Sequence, residues 1–446
     1  MMGKLDGGEE KLFYAFSLED AVPQDHLLRR IDRFLDLSEL RPFYSSIGRP
    51  SVDPELMVRM LLVGYCFGIR SERRLCEEVH LNLAYRWFCR LGLEDRVPDH
   101  STFSKARHGR FREAGLFRSL FEATVRRCMA DGLVGGEGFA TDASLIHADA
   151  SKNRSAWKGE AVDWEDPQIA SRPVVEYLDA LDDGPKVTEK KRVSLTDPAA
   201  QWTCAHGGPA HFAWATNYLV DVQASVIVDV EASPAVRPAE VAASRRMVDR
   251  TEERFGLKPK RLMGDKAYGS AEMLSWMVKE KGIEPHVALF AQPDRKKADG
   301  VGRGDFTYDP EEDAYTCPAG KKLKRFRREA RAKKAKPPPD QVYRYYALKA
   351  DCDACPLKPK CCPNLPMRKL PRSIHEDARD KVRELQRTEA YEVSQRDRKK
   401  VEMAFAHLEQ NLGFRRLRLR GPTGAQDEFL LAAAVQNLRK LACRVA

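Results

Sequence analysis

Apolar residues recur three and four positions apart through most of residues 24–135, the period of helices that bury one face. Asp25-His-Leu-Leu-Arg-Arg-Ile-Asp-Arg-Phe-Leu35 has this spacing. Asp53-Pro54 reads as an N-cap followed by a proline, whose missing N–H costs nothing in a first turn, and it opens a helix running to Phe67. Ser71 to Val79 and Leu81 to Leu91 predict two shorter helices. Pro98-Asp-His-Ser-Thr-Phe-Ser104 then predicts a turn leading into a helix that carries Lys105, Arg107 and Arg110. Short helix, turn and basic helix is the layout of a helix-turn-helix DNA reader, although cations scattered over an ordinary helical domain read the same way.

At Gly135-Gly-Glu-Gly138 the pattern changes to extended chain. Short alternation in Phe139-Ala-Thr-Asp-Ala-Ser-Leu-Ile-His147 places Asp142 inside a strand, where a buried charge requires a partner or a metal. His147 reads as a satisfied strand residue rather than a catalyst. Residues 152–200 are polar and interspersed with Pro, Asp and Lys, and are expected to form a loop or insertion. The β-branched content of residues 211–232 predicts paired strands, and Pro238 to Phe255 a helix. A short strand then ends at Asp265, a helix covers Ala271 to Lys281, and another strand starts at Ile283. Carboxylates at strand ends are where open α/β sheets place their chemistry.

The last helical stretch carries Val401, Ala404, Phe405, Leu408 and Leu412 on one apolar stripe. Gln395, Arg398, Glu402 and Glu409 line its flank. Arg398 and Glu402 alone would read as an ordinary surface ion pair. With Asp142 on a first strand and Asp265 at the end of a later one, Glu402 completes the three-carboxylate layout of an RNase H-like core. Three acids in one site cannot all ionise without a cation, and oxygen donors suit Mg²⁺ or Mn²⁺.

Composition sharpens this picture. The 446 residues exceed one compact core. Lys and Arg number 76 against 66 Asp and Glu, and their clustering points to a polyanion such as nucleic acid. Residues 321–336 hold ten cations and one acid, the composition of a solvated loop or a phosphate-contacting arm. No apolar run reaches transmembrane length and no signal-peptide core opens the chain, so an intracellular protein with reduced or metal-bound cysteines is expected. Cys317, Cys352, Cys355 and Cys361, with Cys362 alongside, have spacing suited to a structural Zn²⁺ or to plain reduced thiols.

Thr141-Asp-Ala-Ser-Leu-Ile-His147, Leu262-Met-Gly-Asp-Lys-Ala-Tyr-Gly-Ser270 and Arg398-x3-Glu402, followed by Phe414 to Gly421, resemble the DDE transposases of bacterial insertion sequences. The helical start and the cysteine-bearing segment before the glutamate extend the resemblance over nearly the whole chain. It implies an α/β protein with an RNase H-like catalytic core, a mixed sheet with flanking helices. On this reading residues 1–135 form an all-α DNA-binding domain and 136–292 the first part of the core. Residues 293–370 form a basic, Cys-containing insertion, and 371–446 the helical remainder of the core. The resemblance implies DNA strand cleavage and strand transfer at the element's own ends by a cytoplasmic, nucleoid-associated bacterial enzyme, a homodimer on terminal inverted repeats and target DNA, with no membrane role. Asp142, Asp265 and Glu402 become ligands for Mg²⁺ or Mn²⁺, and Arg398 a contact to element-end DNA. Arg415, Arg416, Arg418, Lys105 and Arg107 are the further DNA-binding candidates. Gln395 and Glu409 depart from a family pattern that often has Tyr and Lys there. An inactive, DNA-binding derivative and a stand-alone nuclease of the same fold are the alternatives.

Overall fold

The computed structural model describes residues 16–37, 52–108, 111, 115–182, 190–204, 208–289, 300–325 and 341–444. Of the sequence candidates, Arg110, the Arg107 side chain and the cations of residues 326–336 lie outside the described residues. The chain divides into two compact units, residues 1–258 with 398–446, and residues 259–397.

The first unit begins with helices α1 (Leu18–Ala21), α2 (Leu27–Asp32), α3 (Pro54–Cys66), α4 (Glu72–Leu81), α5 (Leu83–Phe88), α6 (His100–His108) and α7 (Leu116–Ala130). Their starts are capped as the sequence dictates: Asp53 accepts the Glu55 N–H at 2.8 Å before Pro54, and Ser71 caps α4. Strand β1 (Gly138–His147) follows, then β2 (Ser155–Trp157), helix α8 (Arg172–Asp182), β3 (Arg192–Ser194) and β4 (Gln201–Thr203). Long strands β5 (His211–Asp221) and β6 (Val226–Pro234) and helix α9 (Arg237–Phe255) complete this part. β5 pairs antiparallel with β1 along one edge and with β4 and β6 along the other.

The expectation of a loop over residues 152–200 is corrected. β2 pairs with β3 about forty residues away in sequence, and α8 buries Val174. The Arg192 guanidinium sits 4.6 Å from the Trp157 ring and 4.7 Å from Trp202. Buried Asp197 accepts the Trp214 indole N–H at 3.0 Å. Cation–π and hydrogen-bonding contacts here supply the cohesion that a dense apolar pattern supplies elsewhere.

Helix α15 (Gly421–Arg444) closes the first unit over β6. The Asn437 side chain hydrogen-bonds both backbone groups of Ile227, at 3.0 and 2.8 Å. Gln426 does the same for Ala232 N–H and the Val230 carbonyl, at 2.8 and 3.1 Å. Two amide side chains thereby occupy a strand edge that would otherwise stay open.

In the second unit β7 (Arg261–Gly264) and β8 (Glu284–Val287) run parallel, joined through α10 (Ala271–Ser275) and a π-helical turn, Trp276–Lys281. Strands β9 (Thr307–Asp309), β10 (Ala314–Thr316), β11 (Lys322–Arg325) and β12 (Val342–Tyr346) form an antiparallel sheet. Helices α11 (Lys349–Asp353) and α12 (Lys358–Cys361) lead to its last strand, β13 (Lys369–Ser373). The sheet has its own apolar core of Phe306, Tyr315, Leu323, Tyr345 and Leu370. Helix α13 (Glu376–Leu385) precedes the long α14 (Glu389–Gln410), whose residues from Arg398 onward belong to the first unit.

Candidate active site

Asp142 lies mid-way along β1, directly opposite Tyr218 of β5. Residues paired this way project from the same sheet face. Tyr218 is fully buried and stacks on Phe405 of α14 at 4.7 Å and 17°. Burial pushes its phenol pKa up, so the ring packs as a neutral group. The stack seats α14 on the face that carries Asp142.

Two helical turns before Phe405, Arg398 bridges Asp142 and Glu402. Its Nη2 lies 2.8 Å from Glu402 Oε1 and its Nη1 3.8 Å from Asp142 Oδ2. Asp142 Oδ1 also accepts the Ala143 N–H at 2.8 Å. The Asp142 side chain is 22% exposed and that of Glu402 49%, so solvent reaches both carboxylates. This is an open site with cationic charge between two acids. Among the described residues no group of three or more His, Cys, Asp or Glu forms a ready metal cage. The fit of a hard divalent cation rests on the oxygen donors and on the positive charge already held between them.

Asp265 belongs to the second unit. It follows the last residue of β7 and caps a 3₁₀ turn, accepting the Ala267 N–H at 2.7 Å on Oδ1. Gly264 beside it is required by space, since a Cβ there would lie 2.9 Å from the Tyr268 ring. A half-exposed carboxylate just past the carboxyl end of a parallel strand is the position expected for chemistry in an α/β sheet.

The two departures from the family pattern have structural partners. Ser144, two residues beyond Asp142 on the same face, donates its hydroxyl to Glu409 Oε1 at 3.1 Å. Glu409 thus pins α14 to β1. Gln395 donates to the His286 carbonyl at 3.4 Å within the second unit. Lys400 is likewise used internally, on the Val222 carbonyl at 2.6 Å. Nothing in the local sequence signals the Ser144–Glu409 bond, which depends on how helix and strand align.

Beyond Gly413, whose positive φ of 62° turns the chain out of α14, residues 415–417 bridge the end of β1. The His147 N–H donates to the Arg415 carbonyl and the Leu417 N–H to that of His147, at 3.2 and 2.8 Å. The His147 ring stacks on His211 at 3.8 Å, a packing role. Arg416 and Arg420 both reach Asp149, at 3.5 and 2.8 Å. Arg415, Arg418 and Lys105 are exposed.

The backbone N–H groups of Arg418 and Leu419 each donate to Glu428 Oε1 at 2.6 Å. The Glu428 side chain is 2% exposed and also pairs with Arg70. Sequence reading passed over this residue. Its signal is the Asp427-Glu428 pair of carboxylates leading the apolar run Phe429-Leu-Leu-Ala-Ala-Ala-Val435.

In the second unit Cys317, Cys352, Cys355, Cys361 and Cys362 line one small cavity of about 30 Å³. The Lys321 N–H points at Cys317 Sγ, 3.3 Å away. Burial, reinforced by neighbouring thiols, pushes Cys362 up to about 11.

Comparison with known families covers most of these segments. A model described as Transposase domain (DUF772) matches residues 16–109, and two described as Transposase DDE domain match 180–352 and 316–442. The latter pair contains Asp265 and Glu402; Asp142 falls outside all three. Among curated proteins nothing matches. No helix among the described residues is long and apolar enough to cross a membrane. Since the two DDE matches together run from 180 to 442, over more than half of the chain, and rest on an α/β core of the RNase H-like kind, the protein belongs to the DDE transposases of insertion sequences.

Proposed function

We propose that this transposase cleaves DNA strands at the ends of its own insertion sequence and transfers them to a target, using a divalent metal. The observation that carries this reading is the pair of open carboxylates, Asp142 and Glu402, held on either side of the Arg398 guanidinium. DDE transposases use divalent ions such as Mg²⁺. Asp142, Asp265 and Glu402 are the proposed ligands of Mg²⁺ or Mn²⁺, which when bound supplies Lewis acidity for in-line displacement at a phosphodiester. β1 and α14 keep two of these acids on rigid elements, locked by the Tyr218–Phe405 stack and the Ser144–Glu409 bond. The planar fork of Arg398 matches a phosphate as well as it matches carboxylates, and it contacts element-end DNA. Arg415, Arg416, Arg418, Lys105 and Arg107 add backbone contacts that position the duplex.

In this reading residues 1–135 bind DNA, 136–292 and 371–446 build the catalytic core, and 293–370 form an insertion stapled by Zn²⁺. What supports zinc is that Cys317, Cys352, Cys355 and Cys361 line one cavity; they form no metal cage as they stand, and the ion would draw them together. Synapsis of two element ends calls for a homodimer on DNA, acting at the bacterial nucleoid.

The test is nicking of a duplex carrying the element's own end, in Mg²⁺ or EDTA, by wild type and by Asp142→Asn, Asp265→Asn and Glu402→Gln. Metal-dependent nicking at the end, lost in each variant with DNA binding kept, is the expected result. Near-wild-type nicking by a variant removes that residue from the site. Tight binding without any cut favours an inactive DNA-binding derivative, and equal cutting of unrelated DNA a stand-alone nuclease. Glu409 and Gln395 are the sequence features that favour the inactive derivative; the bonds of Glu409 to Ser144 and of Gln395 to the His286 carbonyl support structural roles for both.

A further inference from the structure

In the first unit a cavity of about 800 Å³ opens between α3, α4 and residues 418–420. Its floor is Arg70, whose side chain is only 10% exposed. The guanidinium is wedged between the Phe414 ring at 4.0 Å and the Tyr65 ring at 4.6 Å, which fixes the direction of its fork. Nη2 is taken by Glu428, while Nε and Nη1 are buried with no hydrogen-bond partner. An unpaired buried donor is costly, and an oxygen acceptor in the cavity removes that cost.

The rim adds Arg73 and Arg418, both exposed and neither in an ion pair among the described residues. Arg172 and Arg420 also line the cavity but are pinned elsewhere, Arg172 on Glu176 and Arg420 on Asp149. Against these five arginines stand the lining carboxylates Glu72, Asp149 and Glu428 and the Glu176 partner of Arg172, which leaves one positive charge in excess. The size is that of a nucleotide rather than of a bare ion. Arg418 is two residues past Arg416, where the chain bridges the end of the strand that bears Asp142.

We propose that this cavity seats a phosphate and its sugar from the backbone of the bound DNA, with Arg70, Arg73 and Arg418 as the phosphate donors. The inference rests on the transposase reading for its DNA, and on its own geometry for the phosphate. It defines a subsite that recognises backbone, not base sequence.

The experiment uses the full chain in EDTA, with thymidine 3′,5′-bisphosphate as probe and a duplex as competitor. Wild type is expected to bind the bisphosphate, and the duplex to displace it. Arg73→Ala with Arg418→Ala should weaken probe binding about tenfold or more, and flatten the salt dependence of duplex binding by about one unit of slope per arginine removed. Arg70→Lys keeps a charge for Glu428 but loses the planar fork fixed between Phe414 and Tyr65, and should lose probe affinity while circular dichroism shows the fold retained. Unchanged probe affinity and unchanged slope in these variants would overturn the proposal. Probe displaced by inorganic phosphate but not by duplex would identify a free phosphate as the ligand and overturn the DNA source. Nicking by wild type is read separately. If it is intact while the slopes do not move, the subsite alone fails; if it is absent while the slopes fall, the catalytic reading fails and the subsite stands.

Discussion

Replacing Glu428 by alanine removes one carboxylate and strands four partners at once: the Arg70 guanidinium, the Tyr65 hydroxyl at 3.4 Å and the Arg418 and Leu419 amides at 2.6 Å. Breaking a buried pair by removing one member typically costs about 3–5 kcal/mol, because the remaining charge stays buried. Against a usual stability of about 5–15 kcal/mol this is a large fraction. The local effect can be worked separately. Each hydrogen bond to a charged acceptor contributes roughly 1.5–3 kcal/mol, so the two amides should exchange hydrogen roughly ten- to a hundredfold faster. Hydrogen exchange of peptides covering residues 414–420 reads this directly, alongside denaturant titration. Because the segment carries Arg415, Arg416 and Arg418, its loosening should also weaken duplex binding. The control is Arg70→Met with Glu428→Leu, which removes both charges and should recover much of the stability but not the protection of the two amides. Exchange accelerated by less than about threefold, or a double variant no more stable than Glu428→Ala, would refute the account.

Glu409→Lys should lower stability by about 1 kcal/mol through loss of the Ser144 bond, without tightening duplex binding; a tenfold gain in a mobility-shift titration would return position 409 to the DNA. Burial holds His286 below its ordinary value of 6.5, so the unfolded chain takes up the proton first and stability is lost as pH falls below about 6.5. His286→Phe should flatten that acid limb in urea titrations, and equal pH slopes for the two proteins would count against it. Purified protein should carry about one zinc per chain by atomic emission, in line with a single four-thiolate site. Cys352→Ser with Cys355→Ser should lose it and melt earlier; metal-free wild type purified without chelator would remove zinc from the picture.

Elements whose signal is local were legible in the sequence. Asp53-Pro54, the alternation around Asp142, the strands over residues 211–232 and the apolar stripe of α14 each follow from short-range periodicity, and each has its expected structure. Arg398 is placed next to Glu402 by the four-residue spacing of a helical turn, whereas its approach to Asp142 depends on how strand and helix share a face. What stayed hidden depends on register between distant segments. The pairing of Ser155 with Ser194, the Ser144–Glu409 bond and the Arg70–Glu428 pair, 358 positions apart, leave no periodic trace. Helix α8 is hidden for another reason: Val174, Val175, Tyr177, Leu178 and Leu181 have helical spacing, but the segment is short and set in a long polar stretch.

The closure of β6 by Asn437 and Gln426 has a consequence for how the protein is made. Strands β1, β5 and β6 leave the ribosome some two hundred to three hundred residues before Asn437 does, at about 5–20 residues per second. For roughly ten seconds or more the nascent chain therefore carries a formed hairpin with one sticky side. The last helix is a lid on that side as much as a part of the core. A chain cut short before it, as in a decayed copy of the element, would keep Asp142 and Asp265, two of the proposed metal ligands, and still be a clumping hazard to the intact copies translated beside it.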